Sequence, residues 1–361
     1  MIDASMIDAS TTIDGPPDAA CWTISDGNTA HWSACVALTA LAPTIDVTGI
    51  VSINTDGDQP SDYACAPLTP GSVNVCALAA STITIEMNAA LSAHGTRPLA
   101  LLGHSIDIQG TIDVASHVHG QRGAGAIDDC NPNMTPAKQG GGGAGGTFAD
   151  AGGVGGDQGG APGSGGAAGS SESDMVLRGG CDGRRGGDGT SDGGPNGIGG
   201  PGGGAVWIAS DAGMLKLGDR SVINASGASG TGATQDGHGG HGGGSGGMIV
   251  LQSSTIVSNA NAQLFANGGH GGGGAAGGTS GGDGTDPTGP TGPGAGGDGG
   301  NGAMNHGNGG AGFPMTMRGA NGDGGQQGGG GGGGGGPGVV RITATASIPG
   351  SISPAPQLWP P

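Results

Sequence analysis

AVWIASDAGMLKLGDRSVINASG, residues 205–227, and MIVLQSSTIVSNANAQLFANG, residues 248–268, share one layout. Each runs from a short apolar stretch through a polar turn to a second apolar stretch that ends in Asn-Ala or Ala-Asn, and then returns to glycine. A partial third copy begins at Val339 (VVRITATASIPGSIS), and residues 101–116 read as a preceding member. A unit this short cannot bury an apolar face alone, so the units must stack on one another, which is the logic of a repeat architecture.

Upstream of these copies the chain keeps strand character without the glycine. Apolar residues alternate through 45–53 (IDVTGIVSI), 83–87 (ITIEM), 99–102, 106–108 and 112–114, the period of two expected of half-buried strands. This spacing alone suits a sandwich as well as a solenoid; the later copies favour the solenoid.

Between the units lie three glycine tracts, 140–204, 227–247 and 268–338, too long for ordinary loops of a compact domain, so they are either disordered linkers or a regular structure that tolerates glycine. Glycine recurs in them in pairs with a third residue varying, which matches the three residues per turn of a polyproline-II strand. Bare faces would let such strands pack closely, with Val154, Ile198, Met304, Phe313 and Met315 sealing the edges. The expected fold class is therefore all-β / polyproline-II: short solenoid-like β-strand units with glycine-rich polyproline-II bundle insertions and almost no helix. Helix is disfavoured because Glu occurs only at positions 86 and 172 and Lys only at 138 and 216, and no long 3.6-residue period survives the glycines. A collagen triple helix is excluded because the strict Gly-X-Y period is not sustained beyond PTGPTGPGAGG at 287–297.

Composition sets the outer bounds. Glycine accounts for 92 of 361 residues while Phe, Tyr and Trp make up 2%, so an ordinary globular core is not expected. A formal charge of −18 would repel a phosphate backbone, which excludes nucleic acid as a partner. Three segments follow: an acidic linker at 1–20 that opens MIDASMIDAS, a disulfide-containing β-strand region at 21–125, and glycine tracts interleaved with strand repeats at 126–361. The linker spells the acronym of an integrin metal site but lacks its DxSxS ligand pattern, and no metal is assigned to it.

Cys21, Cys35, Cys65, Cys76, Cys130 and Cys181 fall in none of the spacings of zinc sites and are expected to form three disulfides in an oxidising compartment. Six cysteines permit fifteen pairings; Cys130 and Cys181 flank the first glycine tract and are suited to tie its ends. No signal peptide is visible at the start, and no run approaches the length of a membrane helix. The expected location is extracellular or at the cell surface.

No cofactor, metal or catalytic residue is assigned. His117 and His119, with His104 upstream and His238, His241, His270 and His306 in the glycine tracts, lack a third ligand at a recognisable spacing. The Asp-Gly pairs do not sustain a calcium nonapeptide, and GxGxxG matches carry no weight in so glycine-rich a chain. A polysaccharide-acting β-helix enzyme would need paired carboxylates, for which Asp107 and Asp113 are the candidates, but Asp among Ile more often marks the solvated side of a strand. Thr343 and Thr345 give only a brief Thr-x-Thr ladder for ice binding. Trp359 in the proline-rich end SPAPQLWPP is either a cap tucked back over the last strand unit or an exposed contact residue, and inward packing is the favoured reading.

The DAS-rich linker, the strand region ending in SIDIQGTIDVASH and the RGGCDGRRGGDG segment resemble glycine-rich exported, lipoprotein-like proteins of myxobacteria, a family without an established activity. The likeness spans nearly the whole chain and implies export but transfers no functional residue. A looser similarity is to glycine-rich polyproline-II bundle proteins such as the snow flea antifreeze protein, phage tail-fibre tip adhesins and the glycine-rich region of anaplastic lymphoma kinase. The expected function is that of an exported, non-enzymatic structural or adhesive surface protein, with self-association into filaments and a cell-surface glycan or protein as candidate partners.

Overall fold

A computed structural model describes residues 18–25, 30–57, 63–126, 134–159, 163–172, 175–188, 199–211, 213–291, 295–299, 307–314, 319–325, 328–343 and 348–359. The first two strands, β1 (Ala19–Ser25) and β2 (Ala30–Ala37), form an antiparallel hairpin. One 3-10 turn, Leu38–Ala40, follows, and every other strand pairing is parallel.

The chain next lays down β3 (Ala42–Val47), β4 (Ile50–Asn54), β5 (Cys76–Ile85), β6 (Ala90–His94), β7 (Leu99–Ile108) and β8 (Thr111–Asp113). After the first glycine tract come β9 (Ala205–Ser210), β10 (Met214–Leu217) and β11 (Val222–Asn224), then β12 (Met248–Gln252), β13 (Thr255–Ser258) and β14 (Gln263–Phe265). The last are β15 (Val339–Thr343), β16 (Ser351–Ser353) and β17 (Gln357–Trp359). A nine-stranded sheet runs β13-β10-β7-β9-β12-β15-β17, with β5 beside β7 and β3 beside β5. A six-stranded sheet runs β16-β14-β11-β8-β6-β4. β7 is long enough to serve two neighbours: its first half, from Leu99, pairs with β9, and its second half, from Ile106, pairs with β10.

The residue pattern of each strand follows from how many of its faces are covered. β9 (AVWIAS) and β15 (VVRIT) are buried along their whole length, as are the first halves of β5 and β7. These are near-continuous apolar runs, as parallel strands covered on both sides require. On one side lie Leu101, Val206, Ile208, Ile249 and Val340, packed into the main core against the six-stranded sheet. On the other lie Leu102, Trp207, Val250 and Val339, covered by Trp22, Ile24 and Trp32 of the hairpin and by Phe148. β10 and β13, by contrast, alternate exposed and buried residues because only one side is covered.

The fold expected from the sequence, short solenoid-like strand units with polyproline-II glycine bundles inserted between them, is corrected by these two continuous parallel sheets of nine and six strands. Fully parallel pairing over this many strands is the sheet type of α/β proteins. Here the hairpin, the opposing sheet and glycine segments cover the faces, with no α-helix among the described residues. The glycine tracts are not inserts, because their hydrogen bonds run directly into the sheet: Met248 N–H donates to the Gly204 carbonyl and Val339 N–H to that of Gly247.

Beyond the strands, the run 328–336 is enclosed by six segments of the chain. It exchanges backbone hydrogen bonds of 2.7–3.1 Å with residues 140–146, 153–159, 240–246, 269–275, 310–313 and 320–323. The donors recur every third residue, as in Gly330 to Gly140, Gly333 to Gly143 and Gly336 to Gly146. Neighbours approach so closely that a Cβ on Gly332 would collide with the His241 carbonyl. Of the residues expected to seal these tracts, Val154 is exposed and the Phe313 N–H donates to Gly335; Ile198, Met304 and Met315 lie outside the described residues.

Disulfides hold the hairpin end of the molecule. Cys21–Cys35 joins directly paired positions of β1 and β2. Cys65–Cys76 ties the start of β5 to a loop whose Thr69 and Val73 N–H groups donate to β2. Cys181 is also disulfide-bonded, and Cys130 lies outside the described residues.

Candidate functional site

The histidines singled out in the sequence are brought together with aspartates from the third glycine tract. β8 ends at Asp113, and the chain turns at 117–120, where Gly120 N–H donates to the His117 carbonyl. His117 and His119 therefore sit on a turn rather than along a strand, and they engage different carboxylates. His117 Nε2 lies 3.1 Å from Asp113 Oδ2, and its Nδ1 lies 3.5 Å from Asp286 Oδ2. Hydrogen bonds to both carboxylates push the His117 pKa up to about 10, against the opposing effect of burial. His119 adopts a left-handed backbone at φ 56° and sets Nε2 2.8 Å from Asp283 Oδ2. A positive φ outside glycine is uncommon, and His is among the residues that tolerate it.

The two aspartates also accept backbone donors. Asp286 takes the N–H groups of Val118 and Ser229, and Asp283 that of Gly232. Although burial alone would raise them, these bonds and the histidines hold both carboxyls below the usual range. The segment 283–286 thus clasps the turn at 117–119 to the glycine segment at 229–232.

Beside the clasp opens a cleft of about 510 Å³, lined mainly by residues 185–188, 231–234, 238, 239 and 241. Its charged and titratable lining residues are His119, Arg185, Asp188, His238, His241 and Asp283. His241 Nδ1 lies 2.7 Å from Thr231 Oγ1. Burial, reinforced by the positive charge of Arg185, lowers the His241 pKa to about 4, so its ring is neutral at pH 7. Among the described residues Arg185 makes no hydrogen bond or ion pair, and its side chain is exposed.

The other residues weighed in the sequence, none of them assigned to a site, are separated. His104, on β7, meets Asp211 at 2.6 Å. His270 is buried, with its Nδ1 accepting the Gly312 N–H, and burial lowers its pKa to about 4. His306 and Thr345 lie outside the described residues, as does the side chain of Trp359. Asp107 and Asp113 belong to different sheets: Asp107 accepts Lys216 Nζ at 2.8 Å, and Asp113 holds His117 and the Ala115 N–H. No group of three or more His, Cys, Asp or Glu side chains among the described residues is placed to hold a metal ion.

The sequence reading named His119, His238 and His241 but missed Arg185, Thr231 and Asp283. These come from segments about 50 residues apart, and the Asp283-Gly-Thr-Asp286 pattern, one acid for each histidine of the His117-Val-His119 turn, was the available signal. No family model matches the chain, and neither a curated protein nor a solved structure matches it.

Proposed function

We propose that this chain is an exported, non-enzymatic surface protein with a structural or adhesive role, akin to the glycine-rich exported proteins of myxobacteria that it resembles. The observation that carries the reading is the enclosed run 328–336, where six neighbouring segments satisfy the backbone with hydrogen bonds. Such an interior favours a rigid body over one that opens and closes around a substrate. Disulfides support an oxidising compartment, and no described helix is long and apolar enough to cross a membrane.

The sheet edges bear on self-association. β4 leaves Ile50 87% exposed at one end of the six-stranded sheet. β3 carries Pro43, however, and Pro349 and Pro354 flank β16 at the other end. Proline on or beside an edge strand discourages pairing with another chain. We therefore expect a discrete particle. Negative-stain electron microscopy of the oxidised protein, together with surface labelling of producing cells, tests this. Uniform compact particles at the cell surface support the reading, ordered fibres would make the chain a filament subunit, and ragged chains or a cytoplasmic location would overturn it.

Ice binding is a second reading, favoured by one feature. Thr44, Thr82 and Ser105 stand in register and exposed on the outer side of the nine-stranded sheet, with Thr84 in the adjacent column. Neighbouring hydroxyls there repeat at about the 4.8 Å strand spacing. Thermal hysteresis that is lost in Thr82→Lys would support it, and its absence in the wild-type protein would remove it.

A further inference from the structure

The cleft beside the histidine–aspartate clasp has the chemistry of a ligand site. Its volume of about 510 Å³ falls within the range of small-molecule pockets. Its lining contains no Phe, Tyr or Trp and a single apolar side chain, Ala233. Ligands held by stacking, such as nucleobases, therefore find no platform. What it offers is polar and fixed in position. Asp283 is oriented by His119 and the Gly232 N–H, and Thr231 is oriented by His241. The guanidinium of Arg185 stands at the cleft with none of its donors taken among the described residues.

One free planar cation suits one carboxylate, which it can grip with two parallel hydrogen bonds. The Asp283 carboxylate and the Thr231 hydroxyl in the same lining suit hydroxyl donors. A polyanion is disfavoured by the chain's charge of −18 and by Asp283 in the wall. We propose that this cleft binds an acidic sugar, with the sugar carboxylate on Arg185 and the ring hydroxyls on Asp283 and the Thr231–His241 pair. The turn at His119 then has a use, because its left-handed backbone sets the imidazole against Asp283, and both residues line the cleft.

The choice of a surface glycan as the source of the sugar rests on the adhesive reading above; the binding itself does not. Calorimetric titration of the full-length oxidised protein with glucuronate, glucose and inorganic sulfate tests it. Saturable binding of glucuronate is expected, at least about tenfold tighter than glucose, and Arg185→Gln should weaken it about tenfold or more while leaving the melting temperature unchanged. Thr231→Val should weaken glucuronate but not sulfate. An oligosaccharide ending in glucuronate that binds more tightly than the free acid identifies a glycan source, and equal affinity identifies the free sugar acid; both sustain the site. Absence of saturable glucuronate binding, or equal binding by wild type and Arg185→Gln, overturns it. Sulfate binding as tight as glucuronate, indifferent to Thr231→Val, would likewise reduce the cleft to a plain anion contact. A cytoplasmic location would remove the surface reading and leave the titration standing.

Discussion

Replacing Gly332 with alanine puts the glycine packing to its most direct test. Its N–H donates to Gly272 O at 2.8 Å and its carbonyl accepts the Gly310 N–H at 2.8 Å, so both backbone groups are engaged on other sides. The added methyl would point at a third neighbour and collide with the His241 carbonyl and the Gly242 N–H group. Relief requires the run 328–336 and the segment 240–246 to separate, which stretches the bonds from Gly240 to Gly330 and from Gly243 to Gly333, both 2.9 Å. Leaving two such buried pairs unmade costs about 1–3 kcal/mol each, or roughly 2–6 kcal/mol. The stiffer unfolded chain returns about 0.4–1 kcal/mol, for a net loss of about 1–5.5 kcal/mol. Gly282→Ala is the matched control: a Cβ there meets nothing nearer than Asp298 N at 3.4 Å, so the change should be neutral or slightly stabilising. Urea denaturation followed by circular dichroism reads both. If Gly332→Ala unfolds within about 0.5 kcal/mol of the wild type, the glycines are not required by close approach, and the account of the interior fails.

Other expectations follow from the disulfides and the titrating groups. Replacing Cys21 and Cys35 together by alanine opens a loop with a sequence separation of 14 and should lower stability by about 3 kcal/mol; a red shift of tryptophan fluorescence should accompany it as Trp22 and Trp32 lose their cover, and unchanged fluorescence would mean that the hairpin stays docked without the bond. His117 is charged in the clasp, so its contribution is fully present below the ordinary histidine pKa of 6.5 and is lost as pH rises through about 10. Because the ring is nearly half exposed, that contribution is about 1 kcal/mol after screening, and His117→Gln should flatten the stability profile between pH 6.5 and 10. His241 and His270 run the other way, since their pKa values are lowered to about 4. The stability they allow as neutral rings is present above pH 6.5 and declines as pH falls toward 4, which a melting series across that range would register as a steady drop, absent in a His241→Gln, His270→Gln double variant.

Much of the strand content was legible because one covered face writes a period of two. Ile83, Ile85, Ile106, Ile108 and Ile112 all point into the main core as their alternation implied. Boundaries were less legible. The stretch 45–53 is two strands, β3 and β4, broken at 48–49, while 99–102 and 106–108 are one strand, β7, because Gly103 and Ser105 still pair with β5. The first half of β5, CALAA, was missed because small residues buried on both faces show no alternation. The hairpin was missed for a similar reason, although Cys21 and Cys35 with Trp22 and Trp32 carried a signal: two aromatic–cysteine strands folded on each other. The long parallel sheets could not be read at all, since pairing partners such as Leu99 and Val206 are separated by an entire glycine tract.

Part of the acidity of the chain has a structural use in these same tracts. A glycine segment has no side chain with which to satisfy its own unpaired N–H groups where the array of backbone hydrogen bonds ends, yet buried or half-buried donors must be satisfied. Short acceptors at the interruptions meet that need: Asp157 takes the Gly165 N–H, Asp182 that of Gly202, Asp283 that of Gly232, Asn308 that of Gly299 and Asn321 that of Val154. Asp and Asn fit because their single methylene keeps the oxygen within reach of the adjacent backbone, whereas Glu would overshoot. This favours Asp over Glu at the tract interruptions, in keeping with a chain that has only two glutamates. It also separates two kinds of aspartate by experiment. Asp157→Asn keeps an acceptor for Gly165 and should leave stability unchanged, whereas Asp157→Ala leaves that donor without its protein partner and should cost about 1 kcal/mol. Equal melting temperatures for the two variants would mean that the acid serves solubility alone.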